Sequence, residues 1–313
     1  MKIAIIGATS TIAKEYIKNV LLKSVYNLDL FSRNPTDVRN YINSFDHTES
    51  RLFIKTYEQF VPSIYYDAII NFIGKGDPQK LKNNSDNNLI INDLYDNKIL
   101  SYISLNKSTK YIYLSSGACY LSEFEVPANE KDFLNINFQQ LENHDVYSVS
   151  KCLSEVKHRK LQHLNIIDLR IFGYVQTLNI LSEGSLLGSV FSASHSGLDF
   201  LTTSSHLMRD YINSKLFYEA VECLLSVPNI NCALDLYSKE AISKSEILDI
   251  FSQNFGLKIR IDDDLDLKRF STTGMKKNYF SNGRSMRKFG YDPLVSSKDI
   301  IIMEAEKVLS KQY

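Results

Sequence analysis

Tryptophan is absent from this chain, cysteine occurs four times, and neither sign of charge prevails. Cys119, Cys152, Cys223 and Cys232 have no Cys-x-x-Cys spacing, so structural disulfides are not expected and the chain suits a reducing compartment. The six histidines, His47, His144, His158, His163, His195 and His206, lack metal-ligand spacing, which argues against a zinc site. With 36 basic and 36 acidic residues, no field of one sign can recruit nucleic acid or an anionic membrane. Any phosphate must then be held by a local pocket. No apolar run approaches the roughly 20 residues that span a bilayer, and no secretory leader precedes the first strand. These absences predict a cytoplasmic protein with neither nucleic-acid nor membrane partners.

At 313 residues the chain suits one large α/β unit, or a domain with a smaller appendage. Lys2-Ile-Ala-Ile-Ile-Gly7 is a short apolar run that stops at glycine, and helical periodicity follows to about Leu22. Similar runs at 28–31, 52–54, 68–72, 111–114 and 166–171 alternate with helical stretches at 36–42, 87–105 and 146–161. Runs apolar on both faces and separated by helices predict a parallel sheet covered on two sides, with right-handed crossovers. Beyond Phe172 the alternation loosens. Residues 182–205, rich in serine and glycine, read as loop and lid, and the polar cluster at 83–88 as a loop. A helix at 214–225, a strand at 232–237, a helix at 243–255, a strand at 257–261 and closing helices at 285–289 and 297–309 follow. The expected organisation is a doubly wound α/β domain over 1–172 and a smaller lobe over 173–313 interleaved with it.

Ser116, Tyr147 and Lys151 form the most informative set. Residues four apart on a helix lie on one face, so the Lys151 ammonium can stabilise a Tyr147 phenolate and lower a pKa that starts near 10. Such a phenol can exchange a proton with an alcohol or carbonyl while a hydride crosses at the carbon. Ser116 would hold the substrate oxygen. The same spacing recurs at Tyr211-Ile-Asn-Ser-Lys215, but only Tyr147 lies between two predicted parallel strands.

Gly7-Ala-Thr-Ser-Thr-Ile-Ala13 occupies the strand-to-helix turn where a glycine-rich fingerprint would hold a pyrophosphate against a helix N-terminus. Ser10 and Ala13 take the later glycine places. Alanine still permits close helix packing, whereas Ser10 puts a β-carbon where backbone must approach phosphate. The hydroxyls of Thr9, Ser10 and Thr11, with Ile12 next in the turn, are therefore the expected contacts. At the end of the second strand a carboxylate would bind a ribose 2′-hydroxyl, and a cation a 2′-phosphate. Ser32 and Arg33 stand there, while Asp29 falls inside the strand, so NADP is expected in preference to NAD. In Ile70-Asn-Phe-Ile-Gly-Lys-Gly76, Asn71 and Gly74 would set a small-residue turn beside the adenine ribose and diphosphate.

Together with Leu114-Ser-Ser-Gly-Ala-Cys-Tyr120, Leu169-Arg-Ile-Phe172, Arg209-Asp-Tyr-Ile212 and the ending Ser285-Met-Arg-Lys-Phe-Gly-Tyr-Asp-Pro293, these motifs follow one order along nearly the whole chain. The set resembles the extended short-chain dehydrogenase/reductase family, the NAD-dependent epimerase/dehydratase group. That resemblance implies a Rossmann domain with a C-terminal substrate-binding lobe, acting on nucleotide-diphosphate sugars. It makes Ser116 the catalytic hydroxyl, Tyr147 the acid/base, Lys151 the residue on the nicotinamide ribose, and Arg209 the partner of the substrate diphosphate. Arg284 and Arg287 are further candidates for that last task, and Asn92 for a substrate contact. Homodimers through the helices at 87–105 and 146–161 are implied as well.

Departures from the family pattern narrow the reaction. Gly117 and Ala118 stand where a 4,6-dehydratase carries an Asp-Glu pair, and Cys119 is one step from the cysteine of the epimerase-reductases. Gly173 stands near the place of a substrate-holding asparagine, and Asn213, Ser214 and Lys215 occur where an aspartate is usual. What remains is chemistry needing one hydride and one proton. The expected activity is NADPH-dependent reduction of a nucleotide-linked 4-keto-6-deoxyhexose at C4, with Tyr147 as proton donor. The alternatives are a nucleotide-sugar 4-epimerase with retained NAD, and a non-catalytic NADP-binding sensor.

Overall fold

The computed structural model describes residues 1–45, 51–74, 85–130, 146–182, 184–265 and 276–309, with backbone alone at 85–88 and 182. His47, Lys75, Gly76, Asn83 and His144 lie outside these ranges. One parallel sheet holds seven strands, β1 (Lys2–Ile6), β2 (Asn27–Phe31), β3 (Leu52–Lys55), β4 (Ala68–Asn71), β5 (Lys110–Ser116), β6 (Ile166–Ile171) and β9 (Asn231–Asp235), in the order β3-β2-β1-β4-β5-β6-β9. Successive side chains of a strand point to opposite faces. Ile3, Ile5, Leu28, Leu30 and Ile70 accordingly join one buried cluster, and Ala4, Ile6, Phe31, Ile69 and Tyr111 another. Both faces are buried, which is why these strands read as continuous apolar runs.

The helices α1 (Thr11–Lys23), α2 (Pro35–Ile42), α3 (Ser85–Leu105) and α4 (Val146–Lys160) connect the first six strands. In α1 the buried residues Ala13, Tyr16, Ile17, Val20 and Leu21 recur at helical spacing, so one stripe faces the sheet. The chain winds outward from β1 in both directions. This opens a crevice at the carboxyl ends of β1 and β4, where doubly wound sheets bind ligands.

Two parts of the sequence reading are corrected. Residues 182–205 include the helix α5 (Leu186–Ser196) and the strand β7 (Asp199–Thr202). Ser185 caps α5 by accepting from the Gly188 amide at 3.1 Å, Gly197 ends it in the left-handed region, and Phe191 packs on Phe251. Small residues had hidden this periodicity. The cluster at 83–88 is helical from Ser85 onward, as the first turn of α3. The helices α6 (Ser214–Leu225), which packs Phe217 against Tyr16 of α1, α7 (Lys244–Asn254) and α8 (Ser297–Leu309) follow. The strand β8 (Met208–Arg209) lies between β10 (Ile242–Ser243) and β12 (Asn278–Tyr279), and β11 (Lys258–Ile261) pairs with β7.

Candidate active site

Gly7 has φ +86°, and a β-carbon there would lie 3.0 Å from the Ile73 nitrogen, so the turns after β1 and β4 touch and only glycine fits between them. The Gly7 and Ala8 amides both donate to the Phe31 carbonyl at 3.0 Å, which ties the turn to β2. Ser10 caps α1, its Oγ accepting from the Ala13 amide at 3.2 Å. Thr11 Oγ1 accepts from Asn179 Nδ2 at 2.8 Å. Both hydroxyls therefore serve the fold as acceptors first, and each keeps its own O–H to donate. Thr9 is exposed and Ile12 half-buried. The Thr11 and Ile12 amides open α1, where a helix has no acceptors of its own.

Asp29 is fully buried inside β2 and receives Lys55 Nζ at 2.5 Å and the Tyr66 hydroxyl at 2.6 Å, so it is turned away from the strand tip. At the tip, Ser32 is buried with its Oγ lacking a hydrogen-bond partner among the described residues, and Arg33 is exposed. Both ends of the Asn71 amide are engaged within the fold. Its Nδ2 donates to the Tyr111 hydroxyl at 3.0 Å and its Oδ1 accepts from the Ile73 amide at 2.9 Å, so Asn71 shapes the turn. Gly74, with φ +145°, would place a β-carbon 3.1 Å from Lys151 Nζ. A glycine cradle, an orphaned buried hydroxyl and a helix N-terminus along one crevice suit a dinucleotide.

Lys151 is brought to that crevice from α4. Its Nζ donates to the Leu114 carbonyl at 2.6 Å and the Tyr113 hydroxyl at 3.2 Å, and lies 5.7 Å from the centre of the Tyr147 ring. Burial pushes the ammonium down to about 8, against the pull of Asp96, Asp168 and Glu155. Tyr147 is half-buried in the first turn of α4. Ser116 closes β5, and its Oγ accepts from the Ala118 amide at 3.2 Å and lies 3.3 Å from the Tyr279 hydroxyl. Burial pushes the Tyr279 phenol up, against the hydrogen bond with Ser116, and the charge of a Tyr147 phenolate would push it further. The three residues singled out by spacing thus share one end of the sheet. At the second Tyr-x-x-x-Lys, Tyr211 is buried ahead of α6 while Lys215 is exposed beside Glu219.

The departures noted in the sequence have a steric counterpart. A β-carbon on Gly117 would lie 2.3 Å from the Phe172 ring, and one on Gly173 would lie 2.5 Å from the Asp210 carbonyl oxygen and 2.7 Å from the Tyr211 ring. Aromatic rings therefore fill both places. Cys119 is buried, and that burial pushes its thiol well up, away from a reactive thiolate. Arg209 is buried too, with Nη1 donating to the carbonyls of Met208 at 2.7 Å and Lys276 at 2.8 Å, which braces β8 against the segment that carries Tyr279.

Sequence reasoning missed Tyr113, Phe172 and Tyr279, and behind them a buried ionic network. Ser115 Oγ donates to Glu155 at 2.5 Å, Arg170 donates to Glu155 at 2.6 Å and to the Tyr120 hydroxyl at 2.7 Å, and Tyr120 donates to Asp235 at 2.8 Å. The alternation of β5 could have flagged Tyr113. Tyr279 gave no local signal, since it lies on a two-residue strand. Among the described residues no group of three or more His, Cys, Asp or Glu is placed to hold a metal ion. No helix among them is long and apolar enough to cross a membrane.

No protein-family model and no curated protein sequence matches the chain. Solved structures do match. A variant UDP-glucuronic acid 4-epimerase from Bacillus cereus, solved with NAD, superposes with a TM-score of 0.78 at 17% identity, over 100% of both chains. A dTDP-glucose 4,6-dehydratase from Streptomyces venezuelae, also with NAD, gives 0.76 at 13% identity, over 100% of this chain and 98% of that one. A UDP-glucose 4-epimerase from Thermotoga maritima gives 0.76 at 12% identity over 100% of both. The chain therefore has the fold of the NAD-dependent epimerases and dehydratases of the extended short-chain dehydrogenase/reductases.

Proposed function

We propose that this chain is a nicotinamide-dinucleotide-dependent oxidoreductase of the extended short-chain dehydrogenase/reductase family, acting at C4 of a nucleotide-linked hexose. One observation carries the reading: Lys151 Nζ lies 5.7 Å from the Tyr147 ring and 3.1 Å from the β-carbon position of Gly74, at the carboxyl end of the sheet that Ser116 also terminates. When bound, the nicotinamide ring supplies or accepts a hydride. The residues of the chain supply the rest. Tyr147 exchanges the proton at the sugar oxygen, Lys151 keeps a positive charge beside that phenol, and Ser116 donates to the oxygen where negative charge develops. The Gly7 turn and the head of α1 hold the diphosphate of the dinucleotide, with Ser32 and Arg33 on the adenine ribose. Arg209 is the candidate for the substrate diphosphate, as the family resemblance implies.

Elimination of water has no place in this reading, because Phe172 fills the space an acidic side chain at 117 would need. Arg33 at the strand tip, with Asp29 buried behind it, favours NADPH and hence net reduction of a 4-ketosugar. A 4-epimerase with retained NAD is the second reading, supported by the 4-epimerases of the same fold that carry NAD. The two separate in one experiment, in which purified protein is incubated with CDP-, dTDP-, GDP- and UDP-linked 4-ketosugars and either NADPH or NADH. The expected result is oxidation of NADPH faster than NADH, reduced at least 100-fold in Tyr147→Phe, in line with loss of general acid catalysis. Turnover unaffected by Tyr147→Phe would remove the proposal, and NAD released on denaturation would favour the epimerase.

A further inference from the structure

We propose that Tyr279 is a positioning residue of this site, whose phenol donates to Ser116 Oγ and so commits the Ser116 proton to the substrate oxygen. The inference rests on the oxidoreductase reading above. A serine hydroxyl has one proton and two acceptor positions. One position receives the Ala118 amide at 3.2 Å, and the Tyr279 hydroxyl, 3.3 Å away, is within reach of the other. A phenol is more acidic than an aliphatic alcohol and is the better donor of the two. Burial pushes the Tyr279 phenol further up, so it keeps its proton at any working pH. With both acceptor positions filled, the Ser116 hydroxyl can act only as a donor. A group that steadies a developing alkoxide must be one.

Tyr279 is held firmly enough to do this. Its ring centre lies 4.9 Å from that of Phe124 and 5.4 Å from that of Phe172. On one side the Asn278 amide donates to the Phe124 carbonyl at 2.9 Å and Asn278 Nδ2 to the Glu125 carbonyl at 2.7 Å. On the other, Ser281 Oγ donates to Asp235, and the Ala128 amide to the Phe280 carbonyl at 2.9 Å. The phenol thus reaches Ser116 from a segment 163 residues away, braced at both ends.

Tyr279→Phe keeps the ring packing and removes only the hydroxyl. Measured on the 4-ketosugar panel with NADPH, kcat is expected to fall about fivefold with KM unchanged, as for loss of one neutral hydrogen bond. In a Ser116→Ala background the same change is expected to cost less than about twofold, because the group it orients is gone. An equal loss in both backgrounds, a rise in KM alone, or a Tyr279→Phe protein that no longer folds overturns the proposal. Turnover that Tyr147→Phe abolishes and Tyr279→Phe leaves intact overturns it while sparing the oxidoreductase reading. No Tyr147-dependent turnover on any substrate of the panel overturns both.

Discussion

Lys151 carries a charge where a charge is least stable. Its Nζ is enclosed by Leu114, Tyr113 and the Gly74 turn, and its ammonium is pushed down to about 8 by burial. A lysine whose folded pKa lies below its ordinary value is harder to keep protonated in the fold than in the open chain. Its contribution to stability therefore rises as pH climbs from about 8 toward the ordinary 10.5, and at pH 7 it is unfavourable. Lys151→Met is accordingly expected to be at least as stable as the parent in urea melts at pH 7 while losing turnover. A destabilisation of more than about 2 kcal/mol would mark the ammonium as structural instead. At this scale the meeting of Ser116, Tyr147 and Lys151 at one end of the sheet was legible, because residue type and spacing pointed to it. Ser10 and Asn71 were legible as turn residues but not as to partners, since whether a hydroxyl caps a helix or meets a ligand depends on atoms the sequence does not place.

The helix α4 packs inward through polar side chains. Its buried face is polar, with Ser148, Ser150, Lys151, Ser154, Glu155 and His158 turned inward, so hydrophobic periodicity has little to report. Ser150, Lys151, Ser154, Glu155 and His158 meet the sheet or α3 instead. Ser154 Oγ lies 3.3 Å from the Tyr113 hydroxyl, Glu155 pairs with Arg170, and His158 bridges two buried carboxylates, Asp168 at 2.6 Å and Asp96 at 2.9 Å. Burial alone would lower the His158 pKa, but the two carboxylates outweigh it and raise it to about 9. A histidine raised in the fold stabilises fully below its ordinary 6.5, and that stability is lost as pH rises through about 9. Replacing His158 by Gln should therefore cost about 3 kcal/mol at pH 6, as for a buried pair with one partner removed, and less at pH 9.5. Denaturant melts at the two pH values check this, and a cost that does not shrink with pH would mean that His158 is neutral. The helix α5 is a different case: Leu187, Val190 and Phe191 form its buried stripe, and the small residues between them mask it in the sequence.

At the scale of the whole molecule, the parallel sheet follows from sequence because strands buried on both faces, separated by helices, leave few other arrangements. The chain beyond Phe172 was less legible. Its strands β8, β10 and β12 are two residues each, too short for any pattern, and they are set by pairing across long stretches of chain. Tyr279 therefore arrives beside Ser116 through tertiary structure alone, and Phe172 settles over Gly117 for the same reason. On the proposed function, this end of the sheet exchanges one hydride and one proton with C4 of a nucleotide-linked hexose. Mass spectrometry of the sugar after incubating a nucleotide-linked 4-keto-6-deoxyhexose with 4-deuterated NADPH tests it most directly. One deuterium at C4 with the parent protein, and none with Tyr147→Phe, is the predicted result. A dinucleotide that binds yet transfers no label to any 4-ketosugar of the panel would contradict it.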